Sequence, residues 1–134
     1  MQNGGYILCI DDDEDDYQLL AESFNSLNSN VRIELKNSGD EALHFLQDAV
    51  KKSHLPRIIV LDLNMPGLDG KQTLALIRSI PGLGNIPVII FSTNTNDKDI
   101  LDIEKKGVSA FRKPNTTRGY EDIARTIGYM MLSY

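Results

Sequence analysis

Arg57-Ile58-Ile59-Val60-Leu61-Asp62-Leu63-Asn64-Met65-Pro66-Gly67 is the stretch from which the fold is read. Its unbroken apolar run, Ile58 to Leu61, is the pattern of a strand buried on both faces, as parallel sheets require. The run ends in a carboxylate, and Pro66-Gly67 then turns the chain away. Ligands of open α/β sheets sit at the carboxyl ends of strands, so Asp62 stands where chemistry is expected. A turn or cap role also suits an Asp after a strand. The rest of the chain decides between the two.

Upstream, Tyr6 to Ile10 is a second apolar run, and it ends in Asp11-Asp12-Asp13-Glu14-Asp15-Asp16. Tyr17, Leu20, Ala21, Phe24 and Leu27 recur at helical spacing, so a helix begins inside the acidic run. Acids in a first turn suit the helix dipole, which accounts for Asp13 to Asp16 but not for Asp11 and Asp12 at the strand end. Val31 to Leu35 alternates as an edge strand would. Ser38, with Glu41 three residues on, has the form of a capping box, opening a helix to Lys52 with Ala42, Leu43, Leu46, Ala49 and Val50 inward.

Downstream, Asp69 is positioned to cap a helix through Leu74, Leu76, Ile77 and Ile80, which stops at Pro81-Gly82. Ile86 to Phe91 reads as a buried strand ending in Ser92-Thr93-Asn94. Thr95 or Asn96 opens the next helix, with Ile100, Leu101 and Ile103 inward and Gly107 as its stop. Val108 to Phe111 is a short last strand before Lys113-Pro114. A final helix runs from about Gly119 with Ile123, Ile127, Met130 and Met131 inward. Five strands alternating with five helices predict an α/β fold: a doubly wound parallel sheet, helices on both faces, right-handed crossovers.

With 134 residues, the chain is sized for one domain with a real core. A net charge of −5 and the lack of a basic stripe oppose direct nucleic-acid binding. No apolar run approaches the ~20 residues of a membrane span, and no positive leader region precedes Tyr6, so a cytoplasmic setting away from membranes is expected. Cys9, the single cysteine, reads as a core thiol. His44 and His54 lack partners at ligand spacing and read as solvated or capping residues.

Four strands thus end in polar residues of complementary kinds: Asp11-Asp12, Asp62, Ser92 and Lys113. Crowded carboxylates repel unless they share a hard cation, and Mg²⁺ takes oxygen ligands from a few carboxylates while keeping waters. The ammonium and the hydroxyl suit phosphoryl oxygens. A carboxylate nucleophile that forms an aspartyl phosphate is an established form of covalent catalysis.

These residues resemble the receiver domain of two-component response regulators, the CheY-like family. The likeness covers essentially the whole chain. It is carried by Cys9-Ile10-Asp11-Asp12, by Leu61-Asp62-Leu63-Asn64-Met65-Pro66-Gly67-Leu68-Asp69-Gly70, by Phe91-Ser92-Thr93 and by Lys113-Pro114. The resemblance implies strand order 2-1-3-4-5 and a stand-alone receiver without an output domain. It makes Asp62 the phosphoacceptor, with Mg²⁺ as cofactor. Asp12, Asp62 and the backbone carbonyl of Asn64 would ligate the metal, and Asp11 would act mainly through a metal-bound water. Ser92 would be the switch hydroxyl, and Lys113 would pair with Asp62 or the phosphoryl group. Asn64 and Asn94 would tune phosphoryl lifetime, and Lys113-Pro114 would be cis. Partners would be a sensor histidine kinase or histidine phosphotransfer protein, and an unspecified protein target. The chain would then be a signalling domain that catalyses only its own phosphorylation and dephosphorylation.

One departure stands out. The family often carries an aromatic three residues before the lysine, where this chain has Ala110; its aromatic is Phe111. Phe111 is therefore expected to be a fixed core residue, with no aromatic switch. Alternatives are a pseudo-receiver acting as a binding module and an aspartyl-nucleophile phosphohydrolase. The latter's Asp-x-Asp-x-Thr motif after the first strand is missing, and so is the phosphate-cradling loop of a flavodoxin.

Overall fold

Ile58–Leu61 forms the central strand of a five-stranded sheet in a computed structural model that describes residues 5–27, 30–67, 70–93 and 96–132. Its elements in chain order are β1 (Tyr6–Ile10), α1 (Glu14–Ser26), β2 (Arg32–Lys36), α2 (Gly39–Lys51), β3 (Ile58–Leu61), α3 (Gly70–Ser79), β4 (Val88–Ser92), α4 (Asp97–Lys105), β5 (Ser109–Arg112) and α5 (Thr117–Leu132). The sheet is parallel throughout, in the order β2-β1-β3-β4-β5. Among the described residues no helix is long and apolar enough to cross a membrane.

Alternate strand residues feed two cores. Leu8, Ile10, Ile59, Leu61 and Ile90 pack with Ala42 and Leu46 of α2, Ile77 of α3 and Ile103 of α4. Ile7, Ile58, Val60, Ile89 and Phe91 pack with Leu20 and Phe24 of α1 and with Tyr120, Ala124 and Ile127 of α5. Each fully buried aliphatic side chain contributes about 1.5–3 kcal/mol, so the sheet is a rigid base for what stands on its rim.

Caps form where polar side chains precede apolar stripes. Ser38 accepts from the Glu41 amide at 3.2 Å, and Asn96 accepts from the Asp99 amide at 2.8 Å. The alternative opener Thr95, the expected cap Asp69 and the tuning candidate Asn94 lie outside the described residues. Cys9 is buried, as expected. His44 and His54 are exposed, and His54 stacks on Tyr6 with ring centroids 5.0 Å apart.

Several expectations need correction. β4 starts at Val88 because Pro87, lacking an N–H, begins the ladder only through its carbonyl, which accepts from the Ile59 amide at 3.0 Å. Leu101 is 56% exposed, and in α4 only Ile103 is buried. α5 begins earlier than expected, at Thr117, since Thr116 Oγ1 accepts from the Gly119 amide at 3.0 Å. Lys113-Pro114 is trans, the lower-energy isomer, rather than cis. Phe111 lies against the α1/α5 core but is only half-buried, while Ala110 packs on the opposite core.

Gly70 opens α3 where the helix presses on the end of β3. A Cβ there would stand 2.4 Å from Leu63 Cα and 2.5 Å from the Asp62 carbonyl oxygen. Both are backbone atoms, which do not swing aside. Gly70→Ala is expected to cost about 2 kcal/mol as an overpacking strain. Urea unfolding measures it, and an unchanged midpoint would show that α3 yields freely.

Candidate functional site

The parallel ladder carries the key residues one step past their strands. The Asp11 amide donates to the Lys36 carbonyl at 3.0 Å, the Asp62 amide to Ile10 at 3.0 Å, and the Lys113 amide to Ser92 at 2.9 Å. Backbone bonds to neighbouring strands therefore hold the ends of β1 and β3 side by side and fix the end of β5 beside that of β4 on the same rim. The side chains of Asp11, Asp12 and Asp62 each bring a carboxylate oxygen within 4.8 Å of the other two. Asp11 and Asp62 are buried, and Asp12 is exposed.

Each acid is held differently. Asp11 Oδ1 accepts from the Asp13 amide at 2.9 Å, while its Oδ2 accepts from Lys113 Nζ at 2.7 Å. Asp62 Oδ1 accepts from the Asn64 amide at 3.0 Å and from the Ser92 hydroxyl at 2.8 Å. That hydroxyl accepts in turn from Asn64 Nδ2 at 2.8 Å, so Asn64, Ser92 and Asp62 form one hydrogen-bonded chain. Asp62 Oδ2 faces Lys113 Nζ at 3.5 Å. A cleft of about 590 Å³ opens above, lined by residues that include Asp12, Asp16, Asp62, Asn64, Thr93 and Lys113.

Asp13 caps α1, accepting from the Asp15 and Asp16 amides at 3.0 and 3.2 Å. The dipole account therefore suits Asp13 but fails for Asp16, whose Oδ2 takes the Lys113 ammonium at 2.8 Å. Asp16 is the residue that reading the sequence missed. No signal in the sequence sets it apart from the other first-turn acids, because its partner Lys113 lies 97 residues away.

Burial dominates the electrostatics. It pushes the Asp11 carboxyl up to about 6, helped by repulsion from Asp62 and opposed by the hydrogen bonds from Lys113 and the Asp13 amide. Burial alone would lower the Lys113 ammonium, but its bonds to Asp11 and Asp16 raise it above the usual lysine value. Burial and the neighbouring Asp11 likewise raise the Cys9 thiol, which stays protonated.

The donor set fits a hard divalent cation. Opposite ligands of a small octahedral ion stand about 4 Å apart, so acids within this envelope close on one with small side-chain shifts. Such an ion would also favour the charged form of Asp11, which burial and, to a lesser degree, Asp62 now disfavour.

The shift on Asp11 has a direct consequence for stability. The carboxyl titrates at 3.8 when unperturbed and at about 6 in the fold. Between those values the folded chain binds more protons than the unfolded one, so stability falls as pH rises through that window. Asp11→Asn is expected to flatten this slope and to stabilise the metal-free protein near neutral pH by about 2 kcal/mol. Asp12→Asn should do less, because Asp12 is exposed. Unfolding in EDTA across pH measures both. Asp11→Asn melting below the parent at neutral pH would refute the expectation.

Comparison with known proteins gives these features a family. A model of the response regulator receiver domain matches residues 7–119. The probable methanogenesis regulatory protein FilR2 of Methanothrix harundinacea is 32% identical over 124 residues, 90% of this chain and 77% of that protein. Response regulator Rcp1 of Synechocystis sp. is 33% identical over 97 residues, 71% of this chain and 66% of Rcp1. The Mn²⁺-bound form of Rcp1 superposes with a TM-score of 0.78 at 28% identity, covering 92% of this chain and 91% of that one. The phosphorylated cyanobacterial phytochrome response regulator RcpA gives 0.83 at 29% identity, covering 96% and 94%. The parallel sheet of order 2-1-3-4-5, the acids at its rim and a family match over most of the sequence lead to one conclusion: this chain belongs to the response regulator receiver domains of two-component systems.

Proposed function

We propose that Asp62 accepts a phosphoryl group from phosphohistidine on a sensor histidine kinase or histidine phosphotransfer protein, with Mg²⁺ as cofactor. The observation that carries this reading is the convergence of Asp11, Asp12 and Asp62 within 4.8 Å beside the Lys113 ammonium. The phosphorylated state of RcpA and the Mn²⁺-bound state of Rcp1 lend it support.

Asp12, Asp62 and the Asn64 backbone carbonyl would hold the ion directly, and Asp11 would act through a bound water. When bound, Mg²⁺ supplies charge neutralisation for the equatorial oxygens of the transferring group. A carboxylate oxygen of Asp62 attacks phosphorus, the O–P bond forms, and the P–N bond breaks with its electron pair returning to the imidazole. Lys113 offsets charge on the phosphoryl oxygens in the same step. Ser92 leaves its bond to Asp62 for a phosphoryl oxygen, and Asn64 loses its hydroxyl partner. That exchange biases the loop after β4 and alters contacts with a protein target. Asn64 and Asn94 tune how soon water cleaves the acyl phosphate. The same reading sets the chain in the cytoplasm, acting on no substrate but itself.

The test is intact-mass analysis after incubation with acetyl phosphate and Mg²⁺. A gain of one phosphoryl group, prevented by EDTA, is the expected result. Rapid multiple turnover of generic phosphomonoesters would instead make the chain a phosphohydrolase. No mass gain with any phosphoryl donor would make it a binding module.

A further inference from the structure

Lys113 has more anionic partners than its role requires. Its side chain is 3% exposed, and Nζ lies 2.7 Å from Asp11, 2.8 Å from Asp16 and 3.5 Å from Asp62. Two of these carboxylates belong to the converging metal-ligand set, whereas Asp16 does not. Asp16 sits in the first turn of α1, and the Asp13 side chain fixes that turn by capping the Asp16 amide at 3.2 Å. Asp15, next to it and also acidic, is exposed and has no bond to Lys113 among the described contacts.

We propose that Asp16 is a positioning residue for Lys113: it anchors the ammonium at the cleft so that Asp11 and Asp62 are free for a divalent cation and a phosphoryl group. An ammonium bound only to Asp11 and Asp62 would compete with any cation for those same oxygens. A third carboxylate outside the metal set removes that competition, because the lysine keeps a close counter-charge when it gives up Asp11. It also holds Nζ above Asp62, where charge on a phosphoryl group would develop. The inference rests on the phosphoryl-acceptor reading for the purpose of that position, but its test needs no phosphorylation.

Asp16→Asn and Asp15→Asn remove the same charge from the same helical turn. Two readouts compare them: Mg²⁺ affinity, and the ¹⁵N-resolved signal of the Lys113 ammonium in the metal-free protein. Asp16→Asn is expected to weaken Mg²⁺ binding about fivefold, the size of a contact coupling. Asp15→Asn should stay within about twofold, as a screened surface charge does. The protected Lys113 signal should shift or be lost to exchange in Asp16→Asn and persist in Asp15→Asn. In a Lys113→Gln background Asp16→Asn should no longer exceed the Asp15→Asn effect, since no ammonium is left to compete. Should Lys113→Gln unfold, the ammonium signal decides alone. Equal affinity losses in the two single variants, or an unchanged Lys113 signal in Asp16→Asn, would overturn the proposal. Failure of the parent to gain mass from any phosphoryl donor would overturn the functional reading instead, leaving these comparisons intact.

Discussion

Asp62→Asn is expected to remain folded and to lose phosphoryl labelling by at least about a thousandfold, because it removes the carboxylate proposed as the nucleophile. The amide is nearly isosteric with the carboxylate, and its oxygen can still accept from the Ser92 hydroxyl and the Asn64 amide, as Asp62 Oδ1 does at 2.8 and 3.0 Å. Its nitrogen is no substitute nucleophile, since the lone pair is delocalised into the carbonyl. Lys113 loses only its longest ion pair, at 3.5 Å, and keeps Asp11 and Asp16. Removing one of the crowded acids should leave stability in EDTA equal to or above the parent's. Intact-mass spectra with acetyl phosphate and Mg²⁺ measure labelling, and thermal unfolding measures the fold. Label at full stoichiometry on folded Asp62→Asn would assign the acceptor to another residue.

Lys113→Gln should produce the largest loss of stability. The ammonium is the one cation bonded to Asp11, Asp16 and Asp62 among the described residues. The Asp11 and Asp62 side chains are only 4% and 6% exposed, so water cannot replace it. Breaking a buried ion pair by removing one partner costs about 3–5 kcal/mol. The open cleft and the partly solvated Asp16 place this case near the lower figure, about 3 kcal/mol in EDTA at neutral pH. Two conditions should restore much of the loss. Lowering the pH protonates Asp11, whose carboxyl already titrates at about 6 beside the lysine and rises further without it. Adding Mg²⁺ supplies the missing positive charge. Urea unfolding at two pH values, with and without Mg²⁺, separates these effects. A loss independent of both would mean that Lys113 supports the fold by other contacts, such as that of Nζ with the Phe91 ring, whose centroid is 6.0 Å away.

Much of this site was readable before the fold. A central parallel strand is covered on both faces, so it must be apolar at every position, and its end shows as an abrupt change to polar residues. That is why Asp11, Asp62 and Ser92 stood out next to Ile10, Leu61 and Phe91, and why the bounds of β1 and β3 were met. Alternation of strands and helices settled the class. It left the strand order open, which had to come from the family resemblance, because a βαβ unit can add its next strand on either side.

Tertiary packing decided the rest. Periodicity put Ile100, Leu101 and Ile103 on one stripe, yet α4 lies beside the edge strand β5, where a single row of side chains meets the sheet and Leu101 is left to solvent. Phe111 has sheet parity with Lys113, but β5 has no strand outside it, so the ring is only half covered. Asp16 is the clearest case. In sequence it is one more acid in a helical first turn, and the dipole suffices to explain it. Only the docking of α1 against the face shared by Phe91 and Tyr120 turns its carboxylate onto a lysine 97 residues further along the chain. Local pattern reports what a residue's own strand or helix demands. Which distant charge it meets depends on the rotation and translation of packed elements, and those are set by side-chain volumes throughout the core.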